Sequence, residues 1–470
     1  MIQNKPNMQD TINTQLACLT NLITISKLSL GLGPINTLKQ MRKYPWLLDL
    51  MKVNGMLKRM SEGRTGNYRK AVSLVVQVMV KDLVATLESV LSQPDRAVLH
   101  QGMFSNEIFK AMGLSSWMNE LIGMMLPLLD PNAALKYIDA AENEGYPADL
   151  CNFPKTPVGV HLMEHYPVFG AAVTPRLACD GEVSAYNAIQ RRANTPTFRL
   201  DVPFNFKGKE AEDYVTKEYF QLVQWLEKNT PGKMDWDKLK DICDTRNETV
   251  ECEMELWEML RQRPAPLAAE ALWLPHLWAF SAFPGSKRSL HMMQDLVELG
   301  SDNVKKGISA APKERYRALL WNVTMVHFPD FFTWIESKYG VAMVMESMSH
   351  NRIPYIDTSS EEEMLRGLSR ITMEGPMARH LRGPMENNND DLAYICQNYD
   401  IDFVIVAGNI GCKQSSALNA IGREVTREMG IPYCVVKYDL IDPRIASKQD
   451  IKDQIDDFME NVMKAEPLTA

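Results

Sequence analysis

Cys412 lies in a turn between a predicted strand and a predicted helix, a position where a thiol could bind a metal. Residues 403–406 are an apolar run that predicts a buried strand, Gly408 and Gly411 allow a turn, and residues 415–429 are helical in character. A second strand is predicted over residues 433–436. A thiol at the carboxyl edge of a parallel sheet and near a helix N-terminus is favoured as thiolate, the form that binds metals. Cys412 is therefore predicted to ligate a metal cluster, and further ligands are expected in similar turns.

Two other cysteines have comparable settings. Cys151 lies just before a predicted helix, and Cys179 follows a predicted strand over residues 169–174 and precedes a helix that runs to about residue 192. Three thiolates suit soft iron, and in a 4Fe–4S cluster they would leave one iron open to a substrate oxygen. The spacing alone also fits three buried, unreactive thiols, which is the default interpretation.

Other motifs are absent from the sequence. The glycines before Cys412 do not belong to a G-x-x-x-x-G-K-[ST] loop, and no H-E-x-x-H, G-x-S-x-G or C-x-x-C motif is present. His161 and His165 are four residues apart and would share a helix face. Without a third ligand nearby, surface or core histidines are the favoured interpretation.

Composition narrows the class of protein. The chain has 470 residues, of which 45% are hydrophobic and 23% charged, with a formal net charge of −8. This argues against bulk binding to nucleic acid or to an anionic membrane. The eight cysteines show no disulfide framework, and we see no export signal and no apolar run that looks long enough to span a bilayer. A cytoplasmic protein with reduced thiols is expected.

Strands that alternate with helices predict an α/β fold. We expect two doubly wound, Rossmann-like parallel-sheet domains, at residues 96–207 and 311–470, with a helical linking block at 208–310. Residues 1–95 are predicted to be an N-terminal helical extension that faces an oligomer partner or caps the core; an amphipathic membrane helix is less favoured. One helix is predicted within residues 126–141, starting at Asp130 and Pro131.

Several short segments together resemble a known family. They are GYPADLC at 145–151, CDG at 179–181, LDVP at 200–203, GCKQ at 411–414, and a tail with Asp439 and Asp442-Pro443-Arg444. In order and spacing they resemble the 2-hydroxyacyl-CoA dehydratase and benzoyl-CoA reductase family, of the 2-hydroxyglutaryl-CoA dehydratase D-component type, over about residues 95–465. The match is to the larger, alpha-like subunit. The resemblance implies that Cys151, Cys179 and Cys412 ligate a 4Fe–4S cluster.

The resemblance also implies a reaction and partners. Such enzymes are heterodimers of homologous subunits, and a separate ATP-hydrolysing iron–sulfur activator delivers one electron under anaerobic conditions. In the dehydratases a ketyl radical of the acyl-CoA substrate expels the neighbouring hydroxyl and gives an enoyl-CoA, which is a hydro-lyase reaction. The chain has no ATP motif, in agreement with that division of labour.

The sequence departs from the family pattern in three places. Residues before 95 are additional, and the segment QGMFSNEIFKAMG lacks the leading proline of the family's P-x-E-L-x-x-A-A-G stretch. Glu107 matches the glutamate of that stretch and is a candidate for acid–base work or substrate positioning, although an N-terminal helix charge is the simpler interpretation. Trp321 and Asn322 stand where the family has a glycine, which would reshape the substrate pocket.

Alternatives remain open at this level. A benzoyl-CoA reductase-like subunit would reduce its substrate instead of removing water, and a double-cubane reductase would need six ligands where three cysteines match. A non-catalytic electron-relay subunit would bind no acyl-CoA. Lys413, Arg423 and Arg444 could meet the phosphates of CoA, although solvated surface charges are favoured for them.

Overall fold

Two four-stranded parallel sheets organise the chain. A computed structural model describes residues 6–468, except residues 103, 177–178, 311–312, 348, 351–354, 376–377 and 383. The first sheet has the order β2-β1-β3-β4, and the second has the order β6-β5-β7-β8. The strands are β1 (Ala97–His100), β2 (Ser115–Met118), β3 (Ala171–Pro175), β4 (Thr197–Leu200), β5 (Tyr316–Trp321), β6 (Val341–Glu346), β7 (Phe403–Asn409) and β8 (Tyr433–Tyr438).

Helices surround and link the sheets. Ahead of the first sheet lie α1 (Met8–Leu32), α2 (Pro34–Lys43), α3 (Val53–Met60) and α4 (Gly66–Ser92). The first sheet carries α5 (Glu107–Ala111), α6 (Glu120–Leu129), α7 (Leu135–Asn143), α8 (Asn152–Leu162) and α9 (Asp180–Ala193). Between the sheets lie α10 (Lys209–Asn229), α11 (Trp236–Met259), α12 (Glu270–Leu277) and α13 (Lys287–Lys306). The second sheet carries α14 (Phe331–Tyr339), α15 (Glu361–Glu374), α16 (Met385–Asn398), α17 (Lys413–Glu428) and α18 (Lys448–Asn461).

Short 3₁₀ and π-helical segments lie between the α-helices. Two 3₁₀ segments cover Pro45–Lys52 and Pro94–Arg96, and two π-helical turns cover Trp278–Ala282 and Ala378–Arg382. Single π turns occur often at functional sites. The predicted α/β class with two doubly wound parallel sheets is confirmed.

Burial explains why the strands form where they do. Every residue of β1, β3, β6 and β7 is buried, as expected for strands covered by helices on both faces. Both sheets have the same order, in which the third strand along the chain lies beside the first. The winding direction reverses between these two strands, and such reversals open a crevice at the carboxyl ends. The crevices therefore lie beside β3 and β7.

Two details of the prediction were wrong. The strand β2 was missed, and the single helix expected within residues 126–141 is two helices, α6 and α7. Asp130 ends α6 instead of starting a helix, because its carboxylate accepts a hydrogen bond from the backbone N–H of Asn132 at 2.9 Å and forms a turn.

The helix α1 combines two faces. Its N-terminus is capped by Asn7, whose side chain accepts the N–H of Asp10, and one face packs on α4. The expectation that no segment could span a bilayer is wrong, since α1 is long and apolar enough by length and composition; core helices of soluble proteins also meet this test. Its outer face exposes large apolar side chains at Met8, Ile12, Leu16, Leu19, Leu22, Ile23 and Leu30.

Candidate functional site: a thiol-lined cavity between the sheets

The three predicted cysteines line one cavity. Its volume is about 240 Å³, and Cys151, Cys179 and Cys412 all contribute to its wall. Cys412 directly follows the turn after β7 and is the N-cap residue of α17, where the backbone N–H of Ser415 donates to its Sγ at 3.4 Å. The cysteine thus stands at the crevice of the second sheet, as the strand–turn–helix pattern predicted.

Cys151 is held against the end of β7 although it lies far away in sequence. It is the N-cap residue of α8, and the side-chain amide of Asn409 donates to its Sγ at 3.3 Å. The turn after β7 approaches so closely that a Cβ on Gly411 would stand 2.6 Å from the Cα of Cys151. A glycine is therefore needed for this contact between the two halves of the chain.

Cys179 stands at the crevice of the first sheet. It is the N-cap residue of α9 and has a φ of 103°, in the region that favours glycine. Residues 177–178, which precede it, lie outside the described residues. Non-glycine residues held in this region cluster at functional sites. The backbone conformation therefore marks this position as constrained.

Burial determines the protonation of the three thiols. It raises the pKa of Cys151 to about 12, to which the nearby charges of Asp439 and Cys412 contribute. It also raises the pKa of Cys179 well above its ordinary value, with contributions from Glu182, Cys151 and Cys412, and it raises the pKa of Cys412. Burial therefore favours the neutral thiol where the helix N-terminus had led us to expect thiolate, and metal binding would release these protons.

The donor set of the cavity has the chemistry of cluster ligands. Among the described residues, no three His, Cys, Asp or Glu side chains form a group that could hold a metal ion. In a four-iron cluster each thiolate binds a different iron atom, so the ligands stand farther apart than those of one ion. Three half-buried thiols on one cavity wall are the donors that such a cluster would use.

Two carboxyl groups, which were not predicted, also line the cavity. Glu120 and Glu182 are both buried, and each oxygen of Glu120 accepts from the backbone N–H of Gly102, at 3.0 and 3.1 Å. Burial raises the pKa of Glu120 to about 7. It raises the pKa of Glu182 well above its ordinary value, and the charge of Glu120 adds to this effect.

Two histidines in the cavity wall are paired with carboxylates. Nδ1 of His276 contacts Oε1 of Glu253, and Nε2 of His380 lies 2.7 Å from Oδ2 of Asp391. Neither pair was predicted, because the partners are 23 and 11 residues apart and form no local motif. By contrast, the ring of His161 stacks on that of Tyr166 with centres 4.0 Å apart, in agreement with the interpretation of surface or core histidines. The expectation of a shared helix face is wrong, since α8 ends at Leu162, before His165.

The remaining candidates are placed as follows. Glu107 is buried in α5, and its Oε1 lies 3.0 Å from Nε of Arg246 in a buried ion pair. It is not among the residues of the cavity wall. Burial raises the pKa of the Glu107 carboxyl, and the nearby charge of Arg246 offsets part of this rise. Lys413 is paired with Asp149, and both residues line the cavity, whereas Arg444 is half-exposed and paired with the buried Asp442.

Asn322 explains one departure from the family pattern. Its φ is 74°, a conformation that favours glycine and that asparagine tolerates better than most residues. Its side-chain amide donates to Oγ of Ser415 at 2.6 Å, three residues after Cys412, and both residues line the cavity. The asparagine therefore keeps the turn that a glycine would make and adds a polar group to the cavity wall.

These features define a class: an α/β protein with two doubly wound parallel sheets and a thiol-lined cavity between their carboxyl edges. Residues 101–462 match the family model described as 2-hydroxyglutaryl-CoA dehydratase, D-component, and the chain belongs to this family.

Curated relatives agree with this assignment at low identity. The alpha subunit of lactoyl-CoA dehydratase from Anaerotignum propionicum is 21% identical over 70% of this chain and 82% of the relative. The alpha subunit of (R)-2-hydroxyisocaproyl-CoA dehydratase from Clostridioides difficile is 21% identical over 70% and 81%. A benzoyl-CoA reductase subunit from Thauera aromatica is 19% identical over 68% and 78%.

Proposed function

We propose that this chain is the iron–sulfur subunit of a 2-hydroxyacyl-CoA dehydratase. The reaction is the elimination of water from a 2-hydroxyacyl-CoA through a ketyl radical of the substrate, to give an enoyl-CoA. The observation that carries the proposal is the convergence of Cys151, Cys179 and Cys412 on one cavity in a chain of this family.

The three cysteines would hold a 4Fe–4S cluster. When bound, such a cluster supplies an electron-transfer centre and an iron that polarises the thioester carbonyl. The chain's own groups prepare the site: Asn409 and Ser415 direct N–H groups at two of the sulfurs, which stabilises thiolates.

The proposal includes partners and a location. Because the dehydratase relatives are named as alpha subunits, we expect a homologous second subunit in a heterodimer. An ATP-hydrolysing iron–sulfur activator would deliver the electron, since no ATP motif is found in the sequence. The complex would act anaerobically in the cytoplasm on an acyl-CoA.

The test is the iron content of cysteine variants. The chain is produced anaerobically with its homologous subunit, and Cys151→Ser, Cys179→Ser and Cys412→Ser are compared with Cys252→Ser, a half-buried thiol outside the cavity wall. We expect each of the three variants to lose most of about four iron atoms per chain, because a serine hydroxyl is a poor ligand for iron. Cys252→Ser should keep the wild-type content.

The iron content can also contradict the proposal. If the wild-type chain contains no iron, or if the three variants keep it, the cavity does not hold a cluster. The product then separates dehydratase from reductase: loss of water from a 2-hydroxyacyl-CoA supports the proposal. Reduction of an acyl-CoA without loss of water would favour the benzoyl-CoA reductase-like alternative. The similarity to the benzoyl-CoA reductase subunit from Thauera aromatica is the reason to test for it.

A further inference from the structure

One histidine of the cavity wall is set up for proton transfer. His276 lies in α12, two residues before the π-helical turn Trp278–Ala282, and the centre of its ring is 5.2 Å from that of the Phe280 ring. The side chain is 7% exposed and lines the same cavity as the three thiols. It is therefore enclosed by protein and still borders the space that a substrate would enter.

The ring is oriented by a buried carboxylate. Nδ1 of His276 contacts Oε1 of Glu253 on α11, and the Glu253 side chain is 6% exposed. Among the described residues, His276 is the hydrogen-bond and ion-pair partner of Glu253. The other ring nitrogen of His276, Nε2, has no hydrogen-bond partner among these residues. A carboxylate at one ring nitrogen fixes the tautomer and leaves the lone pair of the other nitrogen available as a base.

Two other acid–base groups of the cavity wall, His380 and Glu120, are engaged differently. Asp391, the partner of His380, is also bound by the guanidinium of Arg379 at 2.7 Å, so its charge is shared. Both oxygens of Glu120 are occupied by a backbone N–H. Glu253 meets no such competing cation among the described residues, so its charge is available to stabilise an imidazolium at His276.

We propose that His276 is the residue that moves the proton in the dehydration, with Glu253 as its positioning residue. The inference rests on the proposed function. Nε2 takes the proton from C3 as the C3–H bond breaks, and the C2–O bond breaks as the hydroxyl leaves. The imidazolium returns the proton to that oxygen, so one water forms and the protons balance. The electron supplied to start the reaction is regained when the enoyl-CoA is released.

The experiment compares His276→Gln and Glu253→Gln with His291→Gln, an exposed histidine of α13. The complex is assayed with three probes, lactoyl-CoA, 2-hydroxyglutaryl-CoA and 2-hydroxyisocaproyl-CoA. We expect His276→Gln to lower kcat about 100-fold or more with KM changed less than about threefold, which is the range for general acid–base groups. Glu253→Gln should lower kcat by a smaller factor, and His291→Gln should match the wild type.

Two further readouts separate catalysis from structure. Iron content and the EPR spectrum of the reduced complex should be unchanged in His276→Gln, and added imidazole should partly restore kcat to His276→Ala. In D₂O, the wild type should place deuterium at C3 of the 2-hydroxyacyl-CoA when the enoyl-CoA is hydrated in the reverse direction. His276→Gln should lose this incorporation in parallel with kcat.

The failures are distinguishable. A loss in kcat of less than about tenfold in His276→Gln, or a loss that is accompanied by loss of iron, overturns the role of His276 and leaves the proposed function standing. A wild-type complex that dehydrates none of the three thioesters overturns the proposed function, and the inference that rests on it falls too.

Discussion

Two buried carboxyl groups in the cavity wall show that burial there disfavours the charged form of a side chain. Glu120 and Glu182 are both buried and near enough for their charges to interact, and two negative charges cannot be solvated there at low cost. The pKa of Glu120 is raised to about 7 by burial, against an ordinary value of 4.5. A proton held on this pair therefore belongs to the folded state and must affect its stability.

Replacement of Glu120 with Gln tests this effect. Between pH 4.5 and 7 Glu120 binds a proton more strongly in the folded than in the unfolded chain. Its contribution to the free energy of unfolding should therefore fall as the pH rises, by up to about 1.4 kcal/mol per pH unit. In Glu120→Gln this decrease should be smaller, because Gln does not titrate and its Oε1 still accepts the Gly102 N–H. Urea unfolding at several pH values measures it, with the exposed Glu248→Gln as the control. Equal slopes for wild type and Glu120→Gln would contradict the explanation.

The cavity residues also differ in how far the sequence reveals them. Cys151, Cys179 and Cys412 could be selected because each stands directly before a helix, which is a local pattern. The pair of His276 and Glu253 has no local pattern, because α11 and α12 bring the two side chains together only in the folded chain. Contacts that depend on packing between helices are not encoded by spacing.

At the scale of elements, continuous apolar runs identify strands that are buried on both faces. The run at 403–406 was recognised for this reason, and the structure has β7 there. β2 was missed because it has four residues, and its first two, Ser115 and Ser116, are partly exposed and polar. A short edge strand gives too little hydrophobic pattern to be found.

The contact between the turn after β7 and the start of α8 positions two cysteines. In Gly411→Ala the new Cβ would lie 2.6 Å from Cα and 2.9 Å from N of Cys151, and backbone atoms cannot move aside as a flexible side chain does. We expect the two segments to separate, with a loss of about 1–3 kcal/mol in the free energy of unfolding. Iron content should fall to less than about half, since the ligand positions depend on this contact.

The matched control is Gly55→Ala in α3. Its Cβ would meet Nη1 of Arg59 at 3.6 Å, which is ordinary contact, and alanine favours a helix over glycine by up to about 1 kcal/mol. Gly55→Ala should keep full iron content and be at least as stable as the wild type in urea. If Gly411→Ala loads iron as Gly55→Ala does, the close approach does not determine the geometry of the site.

At the scale of the whole molecule, a buried ion triad ties the N-terminal segment to the rest. Arg64, between α3 and α4, donates through Nη2 to both oxygens of Glu270 in α12, at 2.7 and 3.0 Å, and through Nη1 to Glu336 in α14. All three side chains are buried. The segment before the first sheet, which lies outside the family match, is thus anchored to the helices between the sheets and to the second sheet's helices.

Removal of the arginine should therefore be costly. In Arg64→Met two carboxylates would share a buried space without a cation, and loss of one partner from such a group costs about 3–5 kcal/mol. Burial already raises the pKa of Glu336 to about 7, so the loss should be larger at pH 8 than at pH 6, where the carboxyls can take up protons. The triple variant Arg64→Met, Glu270→Gln and Glu336→Gln should recover most of the lost free energy of unfolding.

The control is Lys306→Met, which removes the exposed pair with Asp302 and should change the free energy of unfolding by less than about 1 kcal/mol. Urea unfolding at both pH values measures all four proteins, and an Arg64→Met protein as stable as Lys306→Met would show that the triad does not hold the extension in place.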